Sequence, residues 1–263
     1  MKEASQITVI TTLRVDSPER RRNLDAVLRY LQPTGIRTLI LEADTENRYQ
    51  ARKHSANVEF YFEYDESPVF YRTHYLNQLL LRCTTPVVAV WDADVILPYA
   101  QIEESLNKIL DESEVMVIPY NQTVKYLTEE QTIACLKADS LSEHLQQHSA
   151  SYSQWLGRPS CGGLFLVNRE TYLKCGAENE HFYGWGPEDA ERVRRMEILG
   201  YHIGVNNGGP LYHLWHPRRD NSIFFNKQMA SNNRLELIRI CNMDAGELRD
   251  EVKLWNTISN FKL

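Results

Sequence analysis

Apolar and polar positions along the chain follow two periods. Ile7 to Leu13 (ITVITTL) is a β-branched run that reads as a buried strand, and Leu24, Val27, Leu28 and Leu31 then recur at i, i+3, i+4 and i+7, the stripe of an amphipathic helix. Asp16 or Ser17 can cap that helix, and Pro18 suits its first position. Further strands are expected at Thr38–Glu42, at Glu59–Tyr64, through VVAVWDAD from Val87 to Asp94, and in EVMVIPY from Glu114 to Tyr120. Helices are expected around His74–Arg82 and after Pro98, where Ile102, Leu106, Ile109 and Leu110 share one face. SCGGLFLVNRETY, Ser160 to Tyr172, reads as strand then helix, and GYHIGVNN as one more strand. Strands alternating with amphipathic helices predict an α/β fold, a single mostly parallel Rossmann-like sheet flanked by helices, with ligands at the carboxyl ends of its strands.

Two stretches break the alternation. Residues 122–157 are polar, helix-compatible and rich in Gln, Ser and His, an excursion from the sheet. The tail from Asn221 reads as helices and loops. The expected organisation is therefore one domain over residues 1–220 with a helical extension, 221–263, packed on it.

Composition narrows the class. With 263 residues, 43% hydrophobic and 24% charged, the chain has the make-up of a folded α/β protein rather than a disordered one. Its formal net charge of -6 argues against nucleic acid as a partner, since phosphate attraction comes from a surplus of Lys and Arg. No transmembrane segment is expected, because no run of about 18 apolar residues occurs. MKEASQITVITTLRVD lacks the apolar core and cleavage site of a signal peptide, which predicts a cytoplasmic protein. The five cysteines are odd in number and form no CxxC pair, so they read as free thiols.

Three constellations could carry chemistry. In an extended segment Asp92 and Asp94 point the same way, at the end of the sheet where a ligand would lie. Two adjacent carboxylates repel unless a cation intervenes, and a divalent ion bridging to phosphate oxygens would serve; a simple turn explains an isolated DxD equally well. In HFYGWGPEDAERVRRMEILG, Pro187 opens a helix whose apolar face is Val193, Met196 and Leu199, which places Glu188 and Asp189 at its N-terminus. The helix dipole keeps a carboxylate there ionised and available as a general base, although acidic residues in a first turn are also ordinary stabilisers. Gly184 and Gly186 allow close backbone approach, and Trp185 could offer a flat surface to a sugar ring. In YHLWHPRRD, His213 and His216 are candidate ligands for a transition metal, with Arg218 and Arg219 able to face a diphosphate.

Taken in order, ITTLRVDSPERR, WDAD, CGGLFLVNRETY, FYGWGPEDAE and HLWHP resemble inverting nucleotide-sugar glycosyltransferases of the A-type fold over residues 5–220. The resemblance is to family-2-like enzymes with a galactosyltransferase-type C-terminal region, a group including animal β-1,4-galactosyltransferases and bacterial polysaccharide and chondroitin-type transferases. It implies a UDP-sugar donor, a saccharide or lipid-linked saccharide acceptor, and Mn²⁺ or Mg²⁺ as cofactor. By position, Asp94 resembles the direct metal ligand, and Asp92 its partner toward the ribose or a metal-bound water. Asp189 resembles the catalytic base, Glu188 the neighbour that holds hydroxyls, and Trp185 the tryptophan against the sugars. His216 matches the metal histidine when HPRRDN is aligned on the animal enzymes, and His213 matches it on the chondroitin-type enzymes, so both are candidates. Thr11, Thr12 and Arg14 fall in the loop that meets base and phosphates, Gly163 belongs to the donor-side glycine pair, and Asp44 follows the second strand near uracil or ribose. Pro187 stands where the animal enzymes have glycine, as in bacterial relatives. The implied pathway is surface polysaccharide synthesis, with peripheral attachment to a membrane.

Two alternatives share parts of this pattern. A sugar-1-phosphate nucleotidyltransferase also uses metal and aspartates but places a glycine-rich loop after its first strand, and TTLRVDSPERR has none. A glycan- or nucleotide-binding module without turnover is the other, and the joint presence of WDAD, GPED and HLWH speaks against it.

Overall fold

The computed structural model describes residues 3–49, 56–154, 157–219, 221 and 223–255. In chain order the elements are β1 (Ile7–Leu13), α1 (Pro18–Leu31), β2 (Arg37–Asp44), β3 (Val58–Tyr64), α2 (Arg72–Arg82), β4 (Val87–Trp91), β5 (Val95–Ile96), α3 (Tyr99–Leu110) and β6 (Met116–Ile118). There follow β7 (Val124–Tyr126), α4 (Glu129–Lys137), α5 (Leu141–Gln147), β8 (Ser153–Gln154), β9 (Leu164–Asn168), α6 (Arg169–Lys174), α7 (Glu188–Ile198), β10 (Ile203–Val205), β11 (Leu211–His213), α8 (Lys227–Cys241) and α9 (Ala245–Lys253).

The main sheet has seven strands in the order β10-β6-β9-β4-β1-β2-β3. All its pairings are parallel except those of β9, which runs antiparallel between β4 and β6. The period of two along β4 sorts its side chains into two layers. Val87, Ala89 and Trp91 join Ala26, Val27 and Tyr30 of α1 and Ile102, Leu106 and Ile109 of α3, while Val88 and Val90 face Leu76, Leu79 and Leu80 of α2 with Phe165 and Tyr172. The expected mostly parallel sheet, covered on both sides, is what forms.

Three local expectations need correction. The fourth strand stops at Trp91 instead of running through the aspartates: the Asp92 N–H still donates in register to the Gly163 carbonyl, and the chain then turns, with the Val95 N–H donating back to the Asp92 carbonyl. Asp92 and Asp94 therefore sit on a turn, not on an extended strand. The segment 122–157 is not purely helical: β7 and β8 flank α4 and α5, and join β5 and β11 in a second sheet of four strands, ordered β5-β11-β7-β8, beside the carboxyl ends of the first. Pairs and triplets of residues are too short to show a period, so sequence pattern cannot reveal such strands. Pro187 is the residue before α7 and not its first turn, which leaves Glu188 and Asp189 as the first two helical residues.

Helix α7 is unusual in what it buries. Glu191, Arg192 and Arg195 lie inward alongside Met196, and all four are at most 1% exposed. Arg195 donates to Glu191 Oε1 at 2.8 Å and to the carbonyls of Cys175 and Ala177, so the buried charge is both paired and hydrogen-bonded. Helices α8 and α9 cover the far end, where Ile240, Leu248, Val252 and Trp255 pack with Ile198 and Leu199. Among the described residues no helix is long and apolar enough to cross a membrane.

Removing one member of a buried ion pair strands the other, which typically costs about 3–5 kcal/mol. Arg195→Met leaves the Glu191 carboxylate without its partner and is expected to lower the urea midpoint by the equivalent of that loss. An unfolding curve overlaying that of the parent would refute it.

Candidate active site

The two sheets meet at a cleft of about 310 Å³ lined by residues from β1, α2, the β4–β5 turn, the loop before β9, the start of α7 and β11. Ten of the twelve positions to which the resemblance assigns a role line this space: Thr12, Arg14, Asp92, Asp94, Gly163, Trp185, Glu188, Asp189, His213 and His216. Thr11 and Asp44 do not. Thr11 is 1% exposed and spends its hydroxyl on the Trp91 carbonyl at 2.9 Å, because alternation along β1 turns it away from the cleft. Asp44 accepts from the Thr45 N–H at 2.7 Å and from Arg48 at 3.1 Å, facing its own loop.

On one wall Asp94, His213 and His216 bring one ligating atom each within 4.8 Å of one another. Asp94 Oδ2 is 3.1 Å from His216 Nε2, and Asp94 Oδ1 is 3.6 Å from His213 Nε2. His216 donates from Nδ1 to the Pro217 carbonyl at 3.0 Å, which leaves Nε2 as the ring atom that faces the carboxylate, with a lone pair there whenever the ring carries only its Nδ1 proton. Lone pair facing carboxylate is repulsive unless a cation or proton stands between them. That tautomer, fixed by a backbone carbonyl, is the usual arrangement of a metal-ligating imidazole. The His213 ring lies on Tyr126 at 4.5 Å, and burial pushes its pKa down to about 4, leaving it neutral and able to ligate. Burial would raise the Asp94 carboxyl, but His213 and His216 when protonated, and the Arg20 guanidinium always, hold it well below the usual carboxylate range. One carboxylate and two imidazoles thus fit a divalent transition ion.

The facing wall carries the helix N-terminus. Glu188 and Asp189 are adjacent carboxylates with opposite behaviour. Burial, with the Asp189 charge beside it, pushes Glu188 up to about 8. Burial acts on Asp189 in the same sense, but Arg192 at 2.8 Å, helped by Arg72, holds it low. Glu188 is thus protonated at neutral pH and Asp189 ionised, the division of labour that acid–base sites use. Trp185 is 44% exposed beside them and meets Phe224 edge-on at 4.7 Å.

Two arginines that sequence reasoning missed join the walls. Arg72, the first residue of α2, donates to Asp92 Oδ1 at 2.6 Å, and its Nη1 lies 4.0 Å from Glu188 Oε1. Arg72 Nη1 and Glu188 Oε2 are buried atoms without a hydrogen-bond partner, on two residues that line the cleft. Arg20, in the first turn of α1, reaches Asp94 Oδ2 at 3.4 Å and Asp16 at 2.9 Å. One signal was available for both: arginine at a helix N-terminus opposes the dipole, and needs another reason to be there. Arg14 meets Asp65 at 2.5 Å with Phe70 over its guanidinium at 5.3 Å.

Residues 144–217, under a third of the chain, match the profile of the N-terminal domain of galactosyltransferase. The span holds the glycine pair, GWGPED and both histidines. Among solved structures, glucosyl-3-phosphoglycerate synthase from Mycobacterium tuberculosis, in complex with Mn²⁺, UDP and glucosyl-3-phosphoglycerate, is 16% identical with a TM-score of 0.56, over 92% of this chain and 82% of that one. The fold is that of the A-type glycosyltransferases. GalNAc-T7 with UDP, GalNAc and Mn²⁺ superimposes with a TM-score of 0.59 at 10% identity, covering 89% of this chain and 47% of that one. No curated protein sequence matches this chain.

A carboxyl with a raised folded pKa costs stability once the unfolded chain ionises. For Glu188 that cost is absent below its ordinary value of 4.5, grows as pH rises, and is complete above about 8. Glu188→Gln is therefore expected to raise the melting temperature at alkaline pH by at least about 2–4 °C, the change one kcal/mol makes in a chain of this size, and to leave it unchanged near pH 4. Calorimetric melting across that range checks the sign; a gain confined to acid pH would contradict it.

Proposed function

We propose that the protein is a metal-dependent inverting glycosyltransferase that moves a hexose or N-acetylhexosamine from a UDP-sugar to a saccharide acceptor. The observation that carries this reading is the placement of Asp94, His213 and His216 across one cleft from the Glu188–Asp189 pair. The Mn²⁺ and UDP held by both solved relatives, and the galactosyltransferase profile over the same residues, support it.

Asp94, His213 and His216 would hold the divalent ion, and two imidazoles favour Mn²⁺ over Mg²⁺. Such an ion, when bound, offsets the negative charge that collects on the departing UDP. Arg14 and Thr12 border the nucleotide side, and Arg72 and Asp92 hold the donor between the two walls. Asp189 takes the proton from the acceptor hydroxyl. That oxygen attacks the anomeric carbon from the face opposite UDP, the bond to UDP breaks with its electron pair going to the diphosphate, and configuration inverts. The chemistry parallels an inverting glycosidase, in which one carboxylate activates the nucleophile on the far face. Glu188, protonated, donates a hydrogen bond to a substrate hydroxyl, and Trp185 presents its exposed ring to a sugar. On the resemblance to bacterial polysaccharide transferases, the acceptor is a free or lipid-linked saccharide of a surface polymer, used by a cytoplasmic enzyme at the membrane surface.

Screening UDP-sugars with Mn²⁺ for release of UDP identifies the donor and tests the activity itself. Asp189→Asn is expected to keep UDP affinity near that of the parent while transfer falls about 10²–10⁴-fold, the usual contribution of general-base assistance. Transfer at the parental rate would remove Asp189 from that role.

Asp94→Ala is expected to lose the Mn²⁺-dependent part of UDP binding, because the phosphates lose the cation that neutralises them. Calorimetric titration of UDP with and without Mn²⁺ measures this. Equal metal-dependent affinity in variant and parent would overturn the assignment of the triad.

A further inference from the structure

Arg192 is buried to 1% exposure, yet one of its donors serves a residue that lines the cleft. Its Nε donates to Tyr172 Oη and Glu178 Oε1, both at 3.0 Å, and its Nη2 to Glu178 Oε2 at 2.7 Å. The guanidinium plane rests on Phe165 at 4.1 Å. A fork held on one side by a carboxylate and beneath by a ring cannot swing. The remaining group, Nη1, points one helical turn back and donates to Asp189 Oδ1 at 2.8 Å. Asp189 Oδ2, by contrast, accepts no hydrogen bond among the described residues. It lies against the backbone of Gly162, where a Cβ would come within 2.1 Å of it. The two oxygens of one carboxylate are thus treated differently: one is tied to a rigid buried cation, the other is left toward the cleft.

We infer that Arg192 is a positioning residue for transfer: by holding Oδ1 of Asp189 it fixes the carboxylate's rotation, so that Oδ2 is the oxygen that accepts the acceptor's proton. This rests on the reading of Asp189 as the base. Arg192 touches neither donor nor acceptor; it acts only through Asp189. Its partner Glu178 is 3% exposed and balances its charge, so the clamp survives whether or not substrate is bound. The other charged or titratable groups facing Asp189 are Glu188 on its own helix, Arg72 from α2, Asp92 after β4, Tyr120, Tyr126 on β7, and Cys161 in the loop before β9. Of these only Arg72 is a cation, and it bonds Asp92 instead. Arg192 is therefore the group whose removal alone frees the Asp189 carboxylate to turn.

The test must separate positioning from simple loss of a buried charge. Glu178→Gln keeps the bond from Arg192 to Asp189, and the double variant Arg192→Met/Glu178→Gln removes both buried charges together, so that neither is stranded. Relative to Glu178→Gln, the double variant is expected to lose about 10²-fold in kcat, the cost of a misplaced catalytic group, with donor KM unchanged. Its acid limb in the pH–rate profile should move up by about one unit or more, because a carboxylate that loses an adjacent cation binds its proton more tightly. A folded double variant with the kcat and acid limb of Glu178→Gln overturns the proposal. Should the double variant fail to melt cooperatively, Arg192→Lys takes its place: it keeps a charge beside Glu178 but lacks the fork, and full kcat with an unmoved acid limb overturns the proposal in the same way. If the parent transfers no sugar, or if Asp189→Asn transfers at the parental rate, the reading of the active site fails instead, and the two failures are distinguishable.

Discussion

Arg192 and Arg195 sit at 1% and 0% exposure, and a guanidinium cannot shed its charge to relieve burial. Each must therefore lie within reach of a carboxylate, and Glu178 and Glu191 supply them. That requirement fixes the rotation of α7 about its axis more sharply than apolar packing would, since a helix resting on methyl groups can slide at small cost while a forked ion pair cannot. Because Glu188 and Asp189 are the first two residues of the same helix, whatever fixes α7 fixes them. The cleft's chemistry is set from behind, by charges that never reach it.

The opposite wall is built by a different device. The strand that carries Trp91 gives up its ladder one residue later, and the turn that follows separates two aspartates by partner. Asp92 goes to Arg72, and Asp94 goes to the histidines that β11 and the residues after it deliver. The small second sheet has a clear purpose here: its pairing of β5 with β11 brings residue 95 opposite residue 213, and so sets the distance across which Asp94 meets His213. Arg72 then ties the walls together, bonded to Asp92 and close to Glu188.

Much of this was legible in the sequence, for reasons that can be named. The main strands and helices were readable because long apolar runs and three-to-four-residue stripes have periods that survive without any tertiary information. The aspartates, the glutamate–aspartate pair and the histidines were readable because each stands in a recognisable chemical pattern. What escaped was encoded in contacts between distant segments. Strands of two or three residues, such as β5, β7 and β8, have no period to show. Arg72 and Arg20 stand in no such pattern, and only their positions in first helical turns mark them. The face of α7 was misjudged most instructively: Val193, Met196 and Leu199 do mark an apolar stripe, but of the three only Met196 is buried, and Arg192 and Arg195 beside them are buried more deeply than Val193 or Leu199. A pattern of hydrophobicity cannot announce a buried charge whose partner lies elsewhere in the chain.

The antiparallel strand β9 has a consequence for how the molecule is made. It separates β4 from β6, so the main sheet consists of one block, β4-β1-β2-β3, that ends at Trp91, and a second pair, β6 and β10, on its other side. During vectorial synthesis the first block can zip up as soon as Trp91 has emerged, whereas β6 has no neighbour in the sheet until β9 follows some way behind it. A nascent chain at that stage exposes an apolar edge at Val88 and Val90 with nothing beside it. The strand that later fills the gap is led in by Gly162 and Gly163, so the same event that closes the sheet also floors the cleft.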